Sequence, residues 1–380
     1  MSRTPILSIA GGGTGGHVMP ALALADAARA KWPALQVNFI GAERGLEAKL
    51  LPERGENVLL LSMHGVKGAG LFQRLRVLLW ELPKAVLTIR RAWKTERPDL
   101  LVGVGGYASI SGVAAALISR IPVVLYEQNA MPGLVNRTLA KFSRCMMLGF
   151  SDATKHMHSH VHSIVTGNVV REHIMETRWQ PHTPPRLLVL GGSQGALFLN
   201  NNVPEACQHL MREGREFVVT HIVGSDKETL KKVADMYAEA DIKAEILPFC
   251  DDMAAFYASG DLMIARSGAM TVCEAACSGM PTLFVPLPSA ADDHQRHNAN
   301  VLANVGGALV LDQRAMTTDL LARQLDTHLF DTYLLNRMSK AALDAAPFDA
   351  SKNQLKVLGE YLPGPLLYLP KKRQNKGVQA

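Results

Sequence analysis

What this chain lacks narrows its class before any motif is read. Its five cysteines, Cys145, Cys207, Cys250, Cys273 and Cys277, are scattered and form no C-x-x-C pair. Neither a disulfide framework nor a zinc site is expected, and the thiols read as reduced and cytosolic. The N-terminal apolar run Ile6-Leu7-Ser8-Ile9 is stopped by glycines too soon to be a secretory signal. The uncharged stretch from Leu100 to Ser119 has the length of a membrane span, but Gly103, Gly105, Gly106, Ser109, Ser111 and Gly112 break it. It reads as a buried strand, a turn and the start of a buried helix. There is no short-period repeat, and no Asp-x-Asp stands where it could hold a metal, so neither a metal nor another cofactor is expected.

What is present is 380 residues, 48% of them hydrophobic, enough for two cores of ordinary domain size. Two glycine-rich turns, each after a short apolar run, organise the chain. Gly11-Gly12-Gly13-Thr14-Gly15-Gly16-His17 follows Ile6 to Ile9, and Gly191-Gly192-Ser193-Gln194-Gly195 follows Leu187 to Leu190. A buried parallel strand that runs into such a turn and then a helix aims backbone amides and the positive helix end at an anion, usually a phosphate. Apolar runs near 6–10, 36–40, 57–61, 100–104, 121–126 and 144–148 alternate with helical stretches such as Pro20 to Lys31. A second series lies near 187–190, 217–223, 244–248, 262–265, 281–285 and 308–311. The alternation predicts an α/β protein made of two Rossmann-like, doubly wound parallel-sheet domains facing across a cleft. Residues 1–165 would form the first domain, 166–186 with three prolines a linker, 187–350 the second domain, 351–362 a closing helix, and 363–380 a disordered basic tail.

The net charge of +6 invites an anionic partner. Between His64 and Arg97 lie Lys67, Arg74, Arg76, Lys84, Arg90, Arg91, Lys94 and Arg97, interleaved with Leu71, Phe72, Leu75, Leu78, Leu79, Trp80 and Leu82. A basic, apolar segment with an interfacial Trp suits an anionic membrane surface better than nucleic acid, although a core helix with a solvated basic face has the same pattern. The alternating His156, His158, His160 and His162 would share one face of a strand and could bind a transition metal, but a polar surface loop is the plainer reading.

The most specific cluster is Ala265-Arg266-Ser267-Gly268-Ala269-Met270-Thr271-Val272-Cys273-Glu274. A strand ends, Gly268 permits close backbone approach, and a helix begins whose amides suit a diphosphate and whose Glu274 is placed for ribose hydroxyls. After Pro286-Leu287-Pro288, the polar groups of Asp292-Asp293-His294-Gln295-Arg296-His297-Asn298 open another helix and could read a sugar.

These motifs, with Gly103 to Ser109, Glu127-Gln128-Asn129-Ala130, Gly167 to Arg171 and Phe249 to Met253, resemble the MurG family over residues 5–360. That family consists of GT-B type glycosyltransferases that add N-acetylglucosamine to undecaprenyl-pyrophosphoryl-N-acetylmuramoyl-pentapeptide (lipid I), giving lipid II. The resemblance implies a donor site for UDP-N-acetylglucosamine made of Ser193, Ala269, Met270, Thr271 and Val272 at the phosphates, Cys273 beside them, the main chain of Cys250 at uracil, Glu274 at ribose and Arg171 closing on the nucleotide. Gln295 and Asn298 would contact the sugar, with Asn129, Thr14, Gly15 and Gly16 reaching over from the first domain. The acceptor would lie on Gly13, Gly105, Gly106 and Tyr107. The implied location is the cytoplasmic face of the inner membrane, as a peripheral protein, with other cell-wall synthesis proteins as partners and no nucleic acid. An inverting transfer needs one base for the acceptor hydroxyl; His17 is the first candidate and Glu127 the second. The competing reading is an NAD-dependent oxidoreductase, from the G-x-G-x-x-G of Gly11, Gly13 and Gly16 with Glu43 as the ribose acid.

Overall fold

The structure is a computed structural model that describes residues 4–13, 15–62, 76–192 and 195–363. Thr14, Ser193, the basic segment up to residue 75 and the basic tail from 364 lie outside the described residues. The first half forms β1 (Ile6–Gly11), β2 (Gln36–Ala42), β3 (Asn57–Leu61), β4 (Leu100–Gly105), β5 (Val123–Glu127), β6 (Cys145–Leu148) and β7 (Ser163–Val165). The second forms β8 (Arg186–Leu190), β9 (Val218–Ile222), β10 (Ala244–Leu247), β11 (Leu262–Ala265), β12 (Thr282–Phe284) and β13 (Ala308–Val310).

The two sheets are ordered β3-β2-β1-β4-β5-β6-β7 and β10-β9-β8-β11-β12-β13, and every pairing is parallel. Central strands are apolar throughout because helices cover both faces: Leu187, Leu188 and Val189 of β8 are wholly buried, as are Leu100, Leu101 and Val102 of β4. The direction of winding reverses between β1 and β4 and again between β8 and β11. Those switch points are where an open parallel sheet leaves a crevice at its carboxyl edge, and both glycine turns sit there.

Three details differ from the sequence reading. The first helix is Gly15–Lys31, starting before Pro20, because the last glycines of the turn already adopt helical backbone. The edge strand β7 is only three residues long, too short to show a period. The linker is no free tether. Ile174 and Trp179 are buried in the second core, and Trp179 Nε1 donates to the Asp261 carbonyl at 2.8 Å. The helix Ala350–Tyr361 crosses back, burying Val357 and Leu358 with Trp32 in the first core. At both crossings Gln354 Nε2 donates to the Gly167 carbonyl at 2.7 Å.

The histidine run lies in the 3-10 turn Ser151–His156 and the loop after it, as a polar surface segment. Among the described residues no group of three His, Cys, Asp or Glu is placed to hold a metal ion, and no helix is long and apolar enough to cross a membrane.

Candidate functional site

At the first switch point the turns after β1 and β4 interlock. Gly12 N donates to the Gly105 carbonyl at 3.3 Å, and a Cβ on Gly106 would meet the Gly12 carbonyl at 2.5 Å. Gly105 and Gly106 have φ of +98° and +78°, which only glycine adopts without strain. Gly106 then caps the helix Tyr107–Ile118, so Gly105, Gly106 and Tyr107 stand at the carboxyl edge of β4, beside the turn after β1. His17, in the first turn of Gly15–Lys31, lies over this floor, its Nε2 2.9 Å from where a Cβ of Gly105 would stand. Burial pulls its imidazole below the ordinary value. The Glu127 carboxylate opposes that most strongly, His294 adds to it, and Glu47 and a hydrogen bond to the Gly12 backbone oppose it.

Glu127, at the end of β5, is buried and its carboxylate is taken up by four donors. Oε1 accepts from Asn129 N and Asn129 Nδ2, both at 3.0 Å; Oε2 accepts from Gly133 N at 3.0 Å and Asn136 Nδ2 at 2.9 Å. This carboxylate holds Asn129 in place and opposes the lowering of the His17 imidazole. A second buried acid is Glu47, whose Oε2 accepts from Gly13 N at 2.7 Å and Oε1 from Ala42 N at 2.9 Å.

At the second switch point β11 runs through Arg266 to Gly268, which caps the helix Ala269–Ser278 with no side-chain hydrogen bond. The first amides of this helix, from Ala269 to Thr271, therefore have no side-chain cap, as in helix termini that take a phosphate. Glu274 is two turns on. Its Oε2 accepts from Tyr257 Oη at 3.0 Å, and its Oε1 lies 3.6 Å from the Arg171 guanidinium. Burial raises the Glu274 carboxyl while Arg171 pulls it back. Arg266 Nη1 donates to the Val285 carbonyl at 2.8 Å, and burial lowers its basicity. Cys250 lies between β10 and the helix Met253–Ala258, beside exposed Phe249. Behind the second glycine turn a buried chain runs from Tyr237 Oη to His221 Nδ1 and from His221 Nε2 to Asn200 Oδ1, both at 3.1 Å; Asn200 Nδ2 donates to the Val223 carbonyl at 3.0 Å. That carbonyl lies 2.1 Å from where a Cβ of Gly195 would stand, so the chain buttresses the turn.

The two halves meet over these turns. The helix Gly15–Lys31 touches the helix Ala269–Ser278. Asn298, wholly buried, accepts at Oδ1 from Ala130 N at 2.8 Å, and its Nδ2 donates to Asn129 Oδ1 at 3.1 Å and the Ser267 carbonyl at 3.2 Å. Gln295 accepts from Leu287 N at 2.9 Å, and Arg137 pairs with Asp292 at 2.7 Å. The structure thus links Glu127, Asn129 and Asn298 by hydrogen bonds across the two halves, pairs Arg171 with Glu274, and sets His17 within electrostatic reach of Glu127. Sequence reading missed Tyr257 and Glu47. Glu47 carries no signal in the sequence, because Gly12, Gly41 and Gly45 surround it only in the fold.

Comparison with known proteins agrees with this geometry. Residues 7–148 match the glycosyltransferase family 28 N-terminal domain and residues 186–355 its C-terminal domain. A UDP-N-acetylglucosamine--N-acetylmuramyl-(pentapeptide) pyrophosphoryl-undecaprenol N-acetylglucosamine transferase of Anaeromyxobacter sp. (strain Fw109-5) is 40% identical over 93% of this chain and 92% of its own. The transferase of the same description from Syntrophotalea carbinolica is 38% identical over 92% and 97%. The crystal structure of Acinetobacter baumannii MurG superposes with a TM-score of 0.74 at 31% identity, covering 94% of this chain and 99% of that one. An S. aureus MnaA-UDP structure, 17% identical with a TM-score of 0.64, shares the fold. The oxidoreductase reading is overturned by these relatives. Its physical weakness is visible in the site, where the Gly13 amide that a dinucleotide pyrophosphate would use is already bonded to Glu47. With both family 28 domains in order and the paired switch-point turns of a GT-B fold, the chain belongs to the MurG family of N-acetylglucosaminyltransferases.

Proposed function

We infer that the chain moves N-acetylglucosamine from UDP-N-acetylglucosamine to the C4 hydroxyl of lipid I, giving lipid II for peptidoglycan. The observation that carries the mechanism is the packing of the helix bearing His17 against the helix bearing Glu274, whose own N-terminus has no side-chain cap. In this reading the amides of Ala269 to Thr271 receive the diphosphate, Glu274 and Arg171 take the ribose, the main chain at Cys250 reads uracil, and Gln295 with Asn298 and Asn129 orients the hexose. The acceptor enters along Gly13, Gly105, Gly106 and Tyr107. Its C4 oxygen attacks the anomeric carbon, the bond to the UDP oxygen breaks with its electron pair, and the hydroxyl proton passes to His17 Nε2. Glu127 has all four of its hydrogen bonds committed, which favours His17 as base and leaves Glu127 to steady the imidazolium and position Asn129. Charge on the departing UDP is met by the helix amides, where preorganised donors are most effective.

The acceptor's lipid cannot leave the bilayer, so the same reading puts the first domain on the cytoplasmic face of the inner membrane. Leu79, Trp80 and Leu87 are 62%, 76% and 51% exposed, along the stretch that carries Arg76, Lys84, Arg90 and Arg91. Apolar insertion with about 1 kcal/mol per Lys or Arg near anionic lipid suits a peripheral contact. Incubation with UDP-[14C]N-acetylglucosamine and a lipid I analogue tests the function: a labelled disaccharide product is expected, and release of free label with no transfer would overturn it.

A further inference from the structure

The Glu47 carboxylate is caged. A Cβ on Gly12 would stand 2.2 Å from it, one on Gly45 2.1 Å from Oε2, and one on Gly41 2.4 Å from its Cγ. Three glycines, one after β1, one within β2 and one after it, are bare where this one acid sits, and two backbone amides, Gly13 N and Ala42 N, point into its oxygens. That is the donor set a glycine turn offers a phosphate. Here an internal anion fills it, and the Gly13 amide is thereby committed.

We propose that Glu47 is a positioning residue for the transfer: its carboxylate clamps the first glycine turn and so sets the place and the charge of His17 above it. The link is short, since Gly13 bonds to Glu47 while the adjacent Gly12 backbone bonds to the His17 ring. The charged and titratable groups facing His17 are Glu127 at the end of β5, His294 on the helix His294–Ala303, and Glu47; the two carboxylates support the imidazolium and His294 opposes it. The proposal rests on His17 acting as the base.

Glu47→Gln keeps the size that fits the cage, removes the charge and turns one donor against a backbone N–H. In the full-length protein, turnover on a lipid I analogue is expected to fall by about 10- to 100-fold, the cost of slight misplacement of a catalytic group. The donor KM should stay within about twofold, and the acid limb of kcat/KM against pH should move to lower pH as His17 loses a supporting charge. Gly45→Ala leaves the carboxylate in the chain but drives its Cβ into Oε2, and is expected to reproduce the turnover loss if Glu47→Gln does not fold. Gly45→Ala with Glu47→Asp, one methylene shorter, should regain part of it. Wild-type turnover with an unmoved acid limb in Glu47→Gln, or equal loss of turnover and donor affinity in both single variants, would overturn the proposal. If His17→Gln retains the acid limb, the base assignment fails instead, while the split between turnover and donor KM still judges Glu47.

Discussion

Removing the Glu274 carboxylate probes the donor half of the site. Its side chain is 13% exposed, accepts from Tyr257 and faces Arg171, which draws it toward the charged form against the pull of burial. A hydrogen bond to such an acceptor contributes about 1.5 to 3 kcal/mol. Losing one from a ribose hydroxyl should weaken UDP binding by roughly 10- to 100-fold. Glu274→Ala also leaves the buried Tyr257 hydroxyl and Arg171 without this partner, at a further cost to folding of about 1 to 3 kcal/mol. Tyr257→Phe separates the two effects, because it breaks the internal bond and leaves the carboxylate for ribose. The assay is calorimetric titration with UDP together with donor initial rates at saturating acceptor, alongside thermal melting. Glu274→Ala should raise both Kd and donor KM with acceptor KM nearly unchanged, and Tyr257→Phe should lower the melting temperature with donor KM changed only a few fold. Wild-type UDP affinity in Glu274→Ala would refute the assignment.

Burial keeps His17 neutral at neutral pH, so kcat/KM should fall only as pH drops through a value below 6.5. His17→Ala should cut turnover by about 100-fold or more with donor KM little changed, and stopped-flow or radiolabel rates across pH check both. Leu79, Trp80 and Leu87 replaced together by Ser should release the protein from anionic vesicles in flotation assays while sparing transfer to a soluble, short-chain acceptor; equal loss of both would place the segment in the core. Burial holds the His221 imidazole down to about 3. Between that value and about 6.5 the unfolded chain binds a proton that the folded one refuses, so stability should decline as pH falls through this window, by about 1.4 kcal/mol per unit. Urea melts of wild type and His221→Gln over that range should show the slope flattened in the variant.

The fold was largely legible because both sheets are parallel and covered on each face, which writes each central strand as an unbroken apolar run such as Leu187 to Leu190. Glycine turns then marked the switch points. Legibility failed where structure depends on partners far apart in sequence. β7 is three residues whose only strand partner among the described residues is β6, some fifteen residues back in the chain, and the linker shows its packing only once Trp179 is seen to bond Asp261. Glu274 and Asn298 stood out because they open helices beside glycine or proline breaks. Glu47 sits on the seven-residue helix Glu47–Glu53 like any surface acid, and only three-dimensional proximity reveals that Gly12, Gly41 and Gly45 surround it. The split of duties between His17 and Glu127 was likewise open in the sequence, since the four donors on Glu127 come from a turn and a helix start after β5.

The claim that one base drives a direct displacement between the two switch points is tested most directly by the anomeric configuration of the first product. Proton NMR of the disaccharide formed from α-linked UDP-N-acetylglucosamine and a soluble lipid I analogue reads it without purification of intermediates. The account requires a β1,4 linkage from wild type, formed at a rate that collapses in His17→Ala. An α linkage, or β product made by His17→Ala at the wild-type rate, would contradict it.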